Sequence, residues 1–298
     1  MPQLPLEGIR VLDSTYVFAL PYTGALLSDF GAEVIKIEGP AHPDTTRNSG
    51  LAGSYPEHDL GDDPWNRPST YNLLHRGKQS LTLDMTDPRG RDLFRHMVRV
   101  SDVVMENFTP RVMRAWELDY PNLRKIKPDI IMISNTGFGH GGGPYSNNPA
   151  QATTLEGMHG HCWITGYDGD GPNRVGASFV DFLSTWTALF AIGSALRYRS
   201  RTGQGQWADI AMYQAGVMFM SDYLMDAISN GRDGERIGNR HLYRAPQGCY
   251  PAQGDNEWIA LSVGTDEQWQ SLCKVLGRED LAQDARFADL LSRQRNHD

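Results

Sequence analysis

The feature that most constrains the fold is an alternation of short apolar strands and amphipathic helices in the first half of the chain. Residues 9–12 and 33–38 (EVIKIE) have the β-branched, apolar character of strands, and residues 21–30 between them have helical spacing. Two strands joined through one helix form a parallel pair with a right-handed crossover. Further strands are predicted at residues 80–84, 102–106 and 129–134. The pattern predicts an α/β protein with a Rossmann-like, mostly parallel sheet flanked by helices.

A second, smaller domain is predicted where the chain turns polar. Residues 1–225 are assigned to the large domain, and the polar, glycine-rich residues 226–240 are interpreted as a linker. Two strand patterns and a helical pattern with one apolar face follow. Residues 241–298 are therefore expected to form a partial, smaller α+β domain.

Composition and charge argue against several classes of protein. A formal net charge of −8 disfavours nucleic acid or an anionic membrane surface as the main partner. The three cysteines, Cys162, Cys249 and Cys273, are far apart and lack CxxC spacing, so we predict neither a metal site nor a disulfide framework. The first residues lack a signal-peptide pattern, and the apolar run 186–196 is shorter than a membrane span. We expect a soluble, cytoplasmic protein.

The first strand–helix turn does not carry a dinucleotide fingerprint. Residues 13–24 contain no GxGxxG, and the chain has no Walker A motif. Close approach of a pyrophosphate to glycine backbone is therefore not encoded at this turn. A nicotinamide-dependent or P-loop enzyme is disfavoured.

Asp181 is the residue with the clearest chemical potential, and local reasoning leaves two roles open. It lies at the start of a long apolar helix and is followed by fifteen residues without another charge. As a helix N-cap its carboxylate would accept hydrogen bonds from the first free N–H groups. As a nucleophile it would use the same helix dipole to remain ionised. The glycine-rich loop 137–143 follows a strand, which is a common position for ligand contact.

Blocks of sequence along nearly the whole chain show a resemblance to a known family. They occur in the family's order, and the chain is similar to class III CoA-transferases, the CaiB/BaiF or formyl-CoA transferase-like family. The matching blocks are LPLEGIRVLD, LLSDFGAEVIKIE, RGKQSLTLDM, DPRGRDLF, SDVVMENF, KPDIIMISNTGFG, GPY, RTGQGQWADIAM, GNRH, CYPAQGDNEWIALSV and DARFADL.

The resemblance implies a catalytic aspartate and a set of CoA contacts. Asp181 aligns with the aspartate that forms covalent intermediates while CoA passes between two carboxylic acids. CoA is then a thioester substrate, and no permanently bound cofactor is expected. The implied CoA contacts are Lys78, toward the phosphates, and Tyr16, Val17, Phe18, Ala19, Asn107 and Phe108. Gly137 and Gly139 are expected to let backbone N–H groups approach developing oxyanions.

The resemblance also implies an assembly and a longer chain. Family members form homodimers that interlock, so a homodimer or a related partner subunit is expected. They continue beyond the DARFADL block with a segment that returns to the large domain. Relative to the family, the chain is therefore expected to be truncated at its C-terminus.

Two other functions stay open beside CoA transfer. The same fold is expected to host 2-methylacyl-CoA racemases, which need a His-Asp pair where this chain has Gln151 and Ala152. A catalytically silent CoA-binding subunit is the second alternative. It is suggested by departures from the family pattern: Val180 replaces a glycine before the aspartate, and Gly39 and Ala115 replace arginines.

Overall fold

Six parallel strands form the central sheet of the computed structural model, which describes residues 4–47, 53–176 and 178–297. The strands are β1 (Arg10–Asp13), β2 (Glu33–Glu38), β3 (Gln79–Thr82), β4 (Val103–Glu106), β5 (Ile131–Thr136) and β6 (Trp207–Ala211). Their order in the sheet is β3-β2-β1-β4-β5-β6. The prediction of an α/β fold with a Rossmann-like parallel sheet is confirmed. Between β1 and β4 the strand order reverses, and ligands of such sheets bind outside the carboxyl ends of the strands at this point.

Helices connect these strands, and the chain between residues 39 and 68 contains short 3₁₀ turns at Thr45–Arg47, Pro56–His58 and Pro64–Asn66. The start of the helix Pro88–Val98 is capped, because the Asp87 side chain accepts a hydrogen bond from the backbone N–H of Arg89 and Pro88 occupies the first turn. The helices are α1 (Ala19–Asp29), α2 (Ser69–His75), α3 (Pro88–Val98), α4 (Pro110–Ala115), α5 (Tyr120–Ile126), α6 (Ala152–Met158), α7 (His161–Ile164), α8 (Phe179–Thr202), α9 (Met212–Phe219) and α10 (Ser221–Asn230).

Two apolar cores lie on opposite faces of the sheet, because successive side chains of a strand point to opposite sides. Val11 of β1 belongs to the core that also contains Leu20 of α1 and Ile192 of α8. The next residue, Leu12, belongs to the core that contains Phe94 of α3. Helices α1 and α8 therefore form one layer over the sheet, and their N-terminal ends lie near its carboxyl edge.

Helix α8 is the longest helix, with 24 residues, and it ends at Gly203, whose φ of 71° is the left-handed conformation that glycine adopts readily. Its length and apolar composition are sufficient for a membrane span. Such helices also occur in protein cores, and Ala188, Ile192 and Ala195 of α8 are buried in the core described above. On another side of α8, Trp186 and Phe190 are exposed.

The chain divides into two compact units. The first lies within residues 1–161 and 174–225, and the second within residues 162–173 and 226–298. In the second unit, the antiparallel strands β7 (Gln247–Pro251) and β8 (Trp258–Ser262) are followed by α11 (Asp266–Val275), α12 (Glu279–Ala282) and α13 (Leu290–Arg295). Val263, Trp269 and Cys273 form its apolar core. The predicted division at residues 225 and 240 did not include the segment 162–173, which the sequence analysis assigned to the large domain.

Candidate active site

A cavity of about 760 Å³ lies at the carboxyl edge of the sheet. It is built from the segments that follow β1, β4 and β5 and from the first residues of α6, α8 and α9. Most residues predicted to contact CoA, together with the predicted nucleophile, are brought together here: Tyr16, Val17, Phe18, Ala19, Asn107, Phe108, Gly137 and Asp181. The cavity is therefore the candidate active site.

The turn after β1 is held in a conformation that its sequence does not favour. Val17 has a φ of +71°, which is unusual for a β-branched residue. Its N–H donates to Oδ2 of Asp44 at 3.2 Å. The side-chain amide of Asn107 accepts from the Tyr16 N–H at 2.9 Å and donates to the Tyr16 carbonyl at 2.7 Å. Bonds from β2's loop and β4's end thus fix the path of the turn that leads into α1.

Beneath this turn lies a network of buried charges. Lys36 donates to the carbonyl of Thr15 and lies 3.4 Å from Oδ2 of Asp44. Nε2 of His75 lies 3.5 Å from the same oxygen. Burial lowers the pKa of His75 to about 4, so its ring is neutral at neutral pH. The pKa of Asp44 is lowered because its hydrogen bonds and Lys36 outweigh the effect of burial, so Asp44 is an anion that holds the Val17 N–H.

Asp181 lies in the first turn of α8, three residues after the N-cap Ser178. The interpretation of Asp181 as the N-cap is therefore wrong, because the helix begins at Phe179. Burial raises the pKa of Asp181 to about 7. A hydrogen bond from the Ala19 backbone lowers this pKa, and repulsion from Glu156 raises it further. The expectation that the helix dipole keeps this carboxylate readily ionised is corrected, because desolvation is the larger effect.

A second contact joins α8 to the start of α1. The hydroxyl of Thr185 donates to the carbonyl of Ala19 at 2.8 Å. Asp181 and Thr185 are one helical turn apart, so both side chains meet the same residue of the neighbouring helix. This arrangement fixes the Asp181 carboxyl relative to the turn that carries Val17 and Phe18.

Lys78 is not brought to the cavity. Its ammonium is buried, with the side chain 1% exposed, and lies 2.6 Å from Oδ2 of Asp13. It also donates to the carbonyl of Pro21 at 2.7 Å and lies 3.2 Å from Nδ1 of His75. The ammonium group that was predicted to contact CoA phosphates is therefore already paired within the protein. These contacts connect the segment before β3 to β1 and α1.

The two glycines predicted in the loop after β5 have different surroundings. Gly137 lines the cavity, and a Cβ atom there would lie 2.3 Å from Cβ of Ala150, so only glycine fits without movement. Gly139 is outside the lining. It has a φ of +76°, and its N–H donates to Oγ1 of Thr136 at 2.9 Å.

Several cavity residues were missed by sequence reasoning. Asn135 and Thr136 end strand β5, and the rule that ligands bind at carboxyl ends of parallel strands would have identified them. Arg174 lies in a loop without periodicity, so the sequence offered no such signal for it. Asp181 and Arg174 are the only Asp, Glu, Lys, Arg or His side chains among the described residues that line the cavity. The other missed lining residues are Thr45, Ala150, Thr153, Ser178 and Met212.

The positions relevant to proton exchange are also visible. Gln151 and Ala152 line the cavity, and neither can accept a proton near neutral pH. His159 and His161 are buried outside the lining. Within the described residues, no group of three or more His, Cys, Asp or Glu side chains could hold a metal ion.

Comparison with known proteins gives a consistent result. The model of the family described as CoA-transferase family III matches residues 6–298. The chain is 37% identical to acetyl-CoA:oxalate CoA-transferase of Acetobacter aceti, over 100% of this chain and 73% of that protein. It is 35% identical to succinate–glutarate CoA-transferase of Agrobacterium fabrum, over 95% of this chain and 69% of that protein. A crystal structure of a CAIB/BAIF family protein from Brucella suis matches with a TM-score of 0.84 and 34% identity, over 99% of this chain and 75% of that one.

Proposed function

The chain belongs to CoA-transferase family III and is an enzyme of the CoA-transferase class, and we propose that it moves CoA between carboxylic acids through covalent intermediates on Asp181. The observation that carries this proposal is the position of Asp181. It is a desolvated carboxylate with a raised pKa, in a cavity at the point of the sheet where ligands bind.

The proposed reaction begins with attack by the Asp181 carboxylate on the thioester carbonyl of the donor. A C–O bond forms between Asp181 and the donor acyl group, the C–S bond breaks, and CoA leaves as a thiolate, so that Asp181 and the donor acid are joined as a mixed anhydride. The thiolate then attacks the aspartyl carbonyl, which releases the donor acid and leaves an aspartyl–CoA thioester. The acceptor carboxylate reverses both steps, so the acceptor leaves as its CoA ester and Asp181 is regenerated.

The surroundings of Asp181 suit this sequence of steps. Desolvation makes the carboxylate a stronger base and nucleophile than an exposed one, and no separate general base is needed. The Ala19 N–H that faces the carboxyl in the resting state is proposed to stabilise the oxygen that becomes negative during each addition. Gly137 lines the same cavity and has no room for a side chain beside Ala150, so its backbone is the part of the residue that is available to the thioester. The contacts of Gly139 with CoA stay a prediction.

We propose dicarboxylic acids as the acids that exchange CoA. Relatives are described as using oxalate, glutarate and D-citramalate as partners in CoA transfer. Once Asp181 carries the reacting carboxyl group, a second carboxylate of the substrate would need a cation. Arg174 is the only Lys, Arg or His that lines the cavity among the described residues, and guanidinium binds carboxylate through two parallel hydrogen bonds.

Chemical trapping on Asp181 tests the covalent mechanism. Wild-type protein incubated with an acyl-CoA and then hydroxylamine is expected to carry a hydroxamate on Asp181, located by peptide mass spectrometry. Asp181→Asn should show neither the adduct nor transfer, while the exposed control Asp222→Asn retains both. Transfer of wild-type efficiency by a folded Asp181→Asn protein would refute the proposal.

The racemase alternative has less support, because the cavity holds Gln151 and Ala152 where a proton-exchanging pair is needed. Incorporation of solvent deuterium at the α-carbon of a 2-methylacyl-CoA, without an acceptor acid, would favour it. A silent CoA-binding subunit would bind CoA but give no trapped adduct.

We also propose that the protein acts as a homodimer or with a related subunit in the cytoplasm. Two relatives are described as the alpha and beta subunits of a succinyl-CoA–L-malate CoA-transferase, which supports a related partner. Phe182, Trp186 and Phe190 of α8 recur every fourth residue and are exposed, and large exposed apolar faces are typical of interfaces. Light scattering of the purified protein, alone and with a co-expressed relative, tests the assembly, and cell fractionation tests the location.

A further inference from the structure

Glu156 is a buried carboxylate that the proposed chemistry does not use. It lies in α6 and is 0% exposed. Its Oε1 atom accepts a hydrogen bond from the backbone N–H of Phe179 at 3.2 Å. Its Oε2 atom has no hydrogen-bond partner among the described residues. A buried carboxylate without a cation is costly, so it is unusual unless its position serves a purpose.

The contact with Phe179 places Glu156 at the start of the helix that carries Asp181. Phe179 is the first residue of α8, and its N–H is one of the groups that a helix leaves without an internal partner. The N-cap Ser178 provides no side-chain bond to this turn. Glu156 supplies an acceptor from the neighbouring helix instead. It therefore ties the first turn of α8, where Asp181 is the third residue, to α6, whose first residues line the cavity.

The charge of Glu156 also acts on Asp181. After burial itself, repulsion from Glu156 is the next cause that raises the pKa of Asp181. Two of the groups that face this pair are histidines that carry no charge to offset it. Burial lowers the pKa values of His159 and His161, so both rings are neutral at neutral pH. Arg174 lines the same cavity as Asp181, and α9 presents Gly216 and Phe219 to the two histidines.

We propose that Glu156 is a positioning residue that orients the first turn of α8 and, by repulsion, favours the acylated, uncharged forms of Asp181. The inference rests on the proposed function of Asp181. When Asp181 attacks the thioester, its C–O bond forms, the C–S bond breaks, and the negative charge leaves on the CoA thiolate. The negative charge of Asp181, which Glu156 repels, is thereby removed. Repulsion that exists in the free enzyme and disappears in the anhydride and the aspartyl thioester shifts the balance toward the covalent forms.

Two variants separate the charge from the hydrogen bond. Glu156→Gln retains an oxygen for the Phe179 N–H but lacks the charge, and Glu156→Asp retains the charge but has a shorter reach. In the pH profile of kcat/KM, the acid limb is the fall in rate at low pH as Asp181 becomes protonated. For Glu156→Gln, we expect this limb to move about 0.5 to 1 pH unit lower, because the repulsion that raises the pKa of Asp181 is removed. The fraction of protein trapped as the Asp181 hydroxamate should fall about three- to tenfold, which is the same shift expressed as a ratio. For Glu156→Asp, the acid limb should stay at the wild-type pH and the melting temperature should fall.

The two proposals fail in different ways. A wild-type acid limb and a wild-type trapped fraction in Glu156→Gln would overturn the role of Glu156. An equal shift of the acid limb in Glu156→Asp would also overturn it, because the effect would then follow the structure and not the charge. Absence of any hydroxamate in the wild-type protein would instead refute the proposed function. If Glu156→Gln does not fold, Glu156→Met, which also lacks the charge, takes its place, and a wild-type pKa of the Asp181 carboxyl in its ¹³C NMR titration would overturn the role of Glu156.

Discussion

Asp13 and Asp181 are two desolvated aspartates on either side of the start of α1, and they differ in what surrounds them. Burial would raise the pKa of Asp13, but the charges of Lys78 and Lys36 lower it below its ordinary value. Burial raises the pKa of Asp181 to about 7, the like charge of Glu156 adds to this effect, and backbone N–H groups, with no cation, offset it only in part. Both carboxylates are desolvated, so the presence or absence of a neighbouring cation distinguishes the one that stabilises the fold from the one that is available for chemistry.

Removing the charge from each aspartate in turn tests this difference most directly. Asp181→Asn is expected to lower kcat by at least about 10³-fold because the nucleophile is lost. Its free energy of unfolding should be equal to or above that of the wild type, since a desolvated carboxylate is removed. Asp13→Asn should lose about 3–5 kcal/mol of unfolding free energy, because Lys78 is left buried without its anion. Steady-state kinetics and urea denaturation measure both. A loss of stability in Asp181→Asn as large as that in Asp13→Asn would assign Asp181 to the structural class.

Lys78 tests the other half of the buried pair. Lys78→Met is expected to destabilise the protein by about 3–5 kcal/mol, because the anion of Asp13 is then uncompensated. The double variant Asp13→Asn, Lys78→Met should be more stable than either single variant, since neither charge remains. A variant with wild-type stability and a raised KM for acyl-CoA would instead favour the predicted contact of Lys78 with CoA phosphates.

Arg174 provides the opposite comparison, because it is a cation with no ion-pair partner among the residues that the structure describes. Arg174→Gln is expected to lower kcat/KM for a dicarboxylic acceptor by about 10- to 100-fold, the value of a hydrogen bond between charged groups. A monocarboxylic acceptor of the same length should change less than about threefold, and the KM for acyl-CoA should stay constant. Arg201→Gln, an exposed arginine at the end of α8, is the control. Equal losses for both acceptors together with a raised KM for acyl-CoA would assign Arg174 to a CoA phosphate.

Acid should affect the two aspartates in opposite directions. The folded pKa of Asp181 lies above its unfolded value, so ionisation costs stability progressively as pH rises from about 4 to about 7. The folded pKa of Asp13 is lowered, so its stabilisation is complete above its ordinary pKa near 4 and is lost as pH falls below it. The stability advantage of Asp181→Asn over wild type should therefore grow between pH 4 and 7, by at most about 1.4 kcal/mol per unit. The deficit of Asp13→Asn should shrink below pH 4. Urea melts across pH 3 to 8 measure both trends, and parallel trends would contradict the assignment.

The sequence predicted the sheet because strand patterns are local, and each predicted strand in the first half has a counterpart in the structure. The residues after β1 and β4 were predicted to meet because the resemblance supplied a family arrangement for them. The contacts of Lys78 and Glu156 were not predictable in this way. Lys78 faces Asp13 across 65 positions of the chain, and no periodic pattern encodes such a pairing. Glu156 had no motif, since its importance arises only from where α6 packs against α8.

The start of α8 shows a finer limit. An acid before an apolar helix is an ordinary signal of a cap, and Asp181 was a candidate for that role on this ground. The helix begins at Phe179, with the cap contact supplied by Glu156 from another helix. A bond from elsewhere in the fold thus releases Asp181 from a capping role.

The strained turn at Val17 has a consequence for how this site can be transplanted. Its shape depends on Asp44 and Asn107, which lie 27 and 91 positions away from their backbone partners. If residues 14–19 were grafted into another Rossmann-like sheet, the turn would have the same sequence but would not adopt the same conformation. Natural variation faces the same restriction, because a change at Asp44 alters a segment that it does not adjoin in sequence. The site therefore depends on positions that are distant in sequence, and a design that transfers the turn must transfer Asp44 and Asn107 with it.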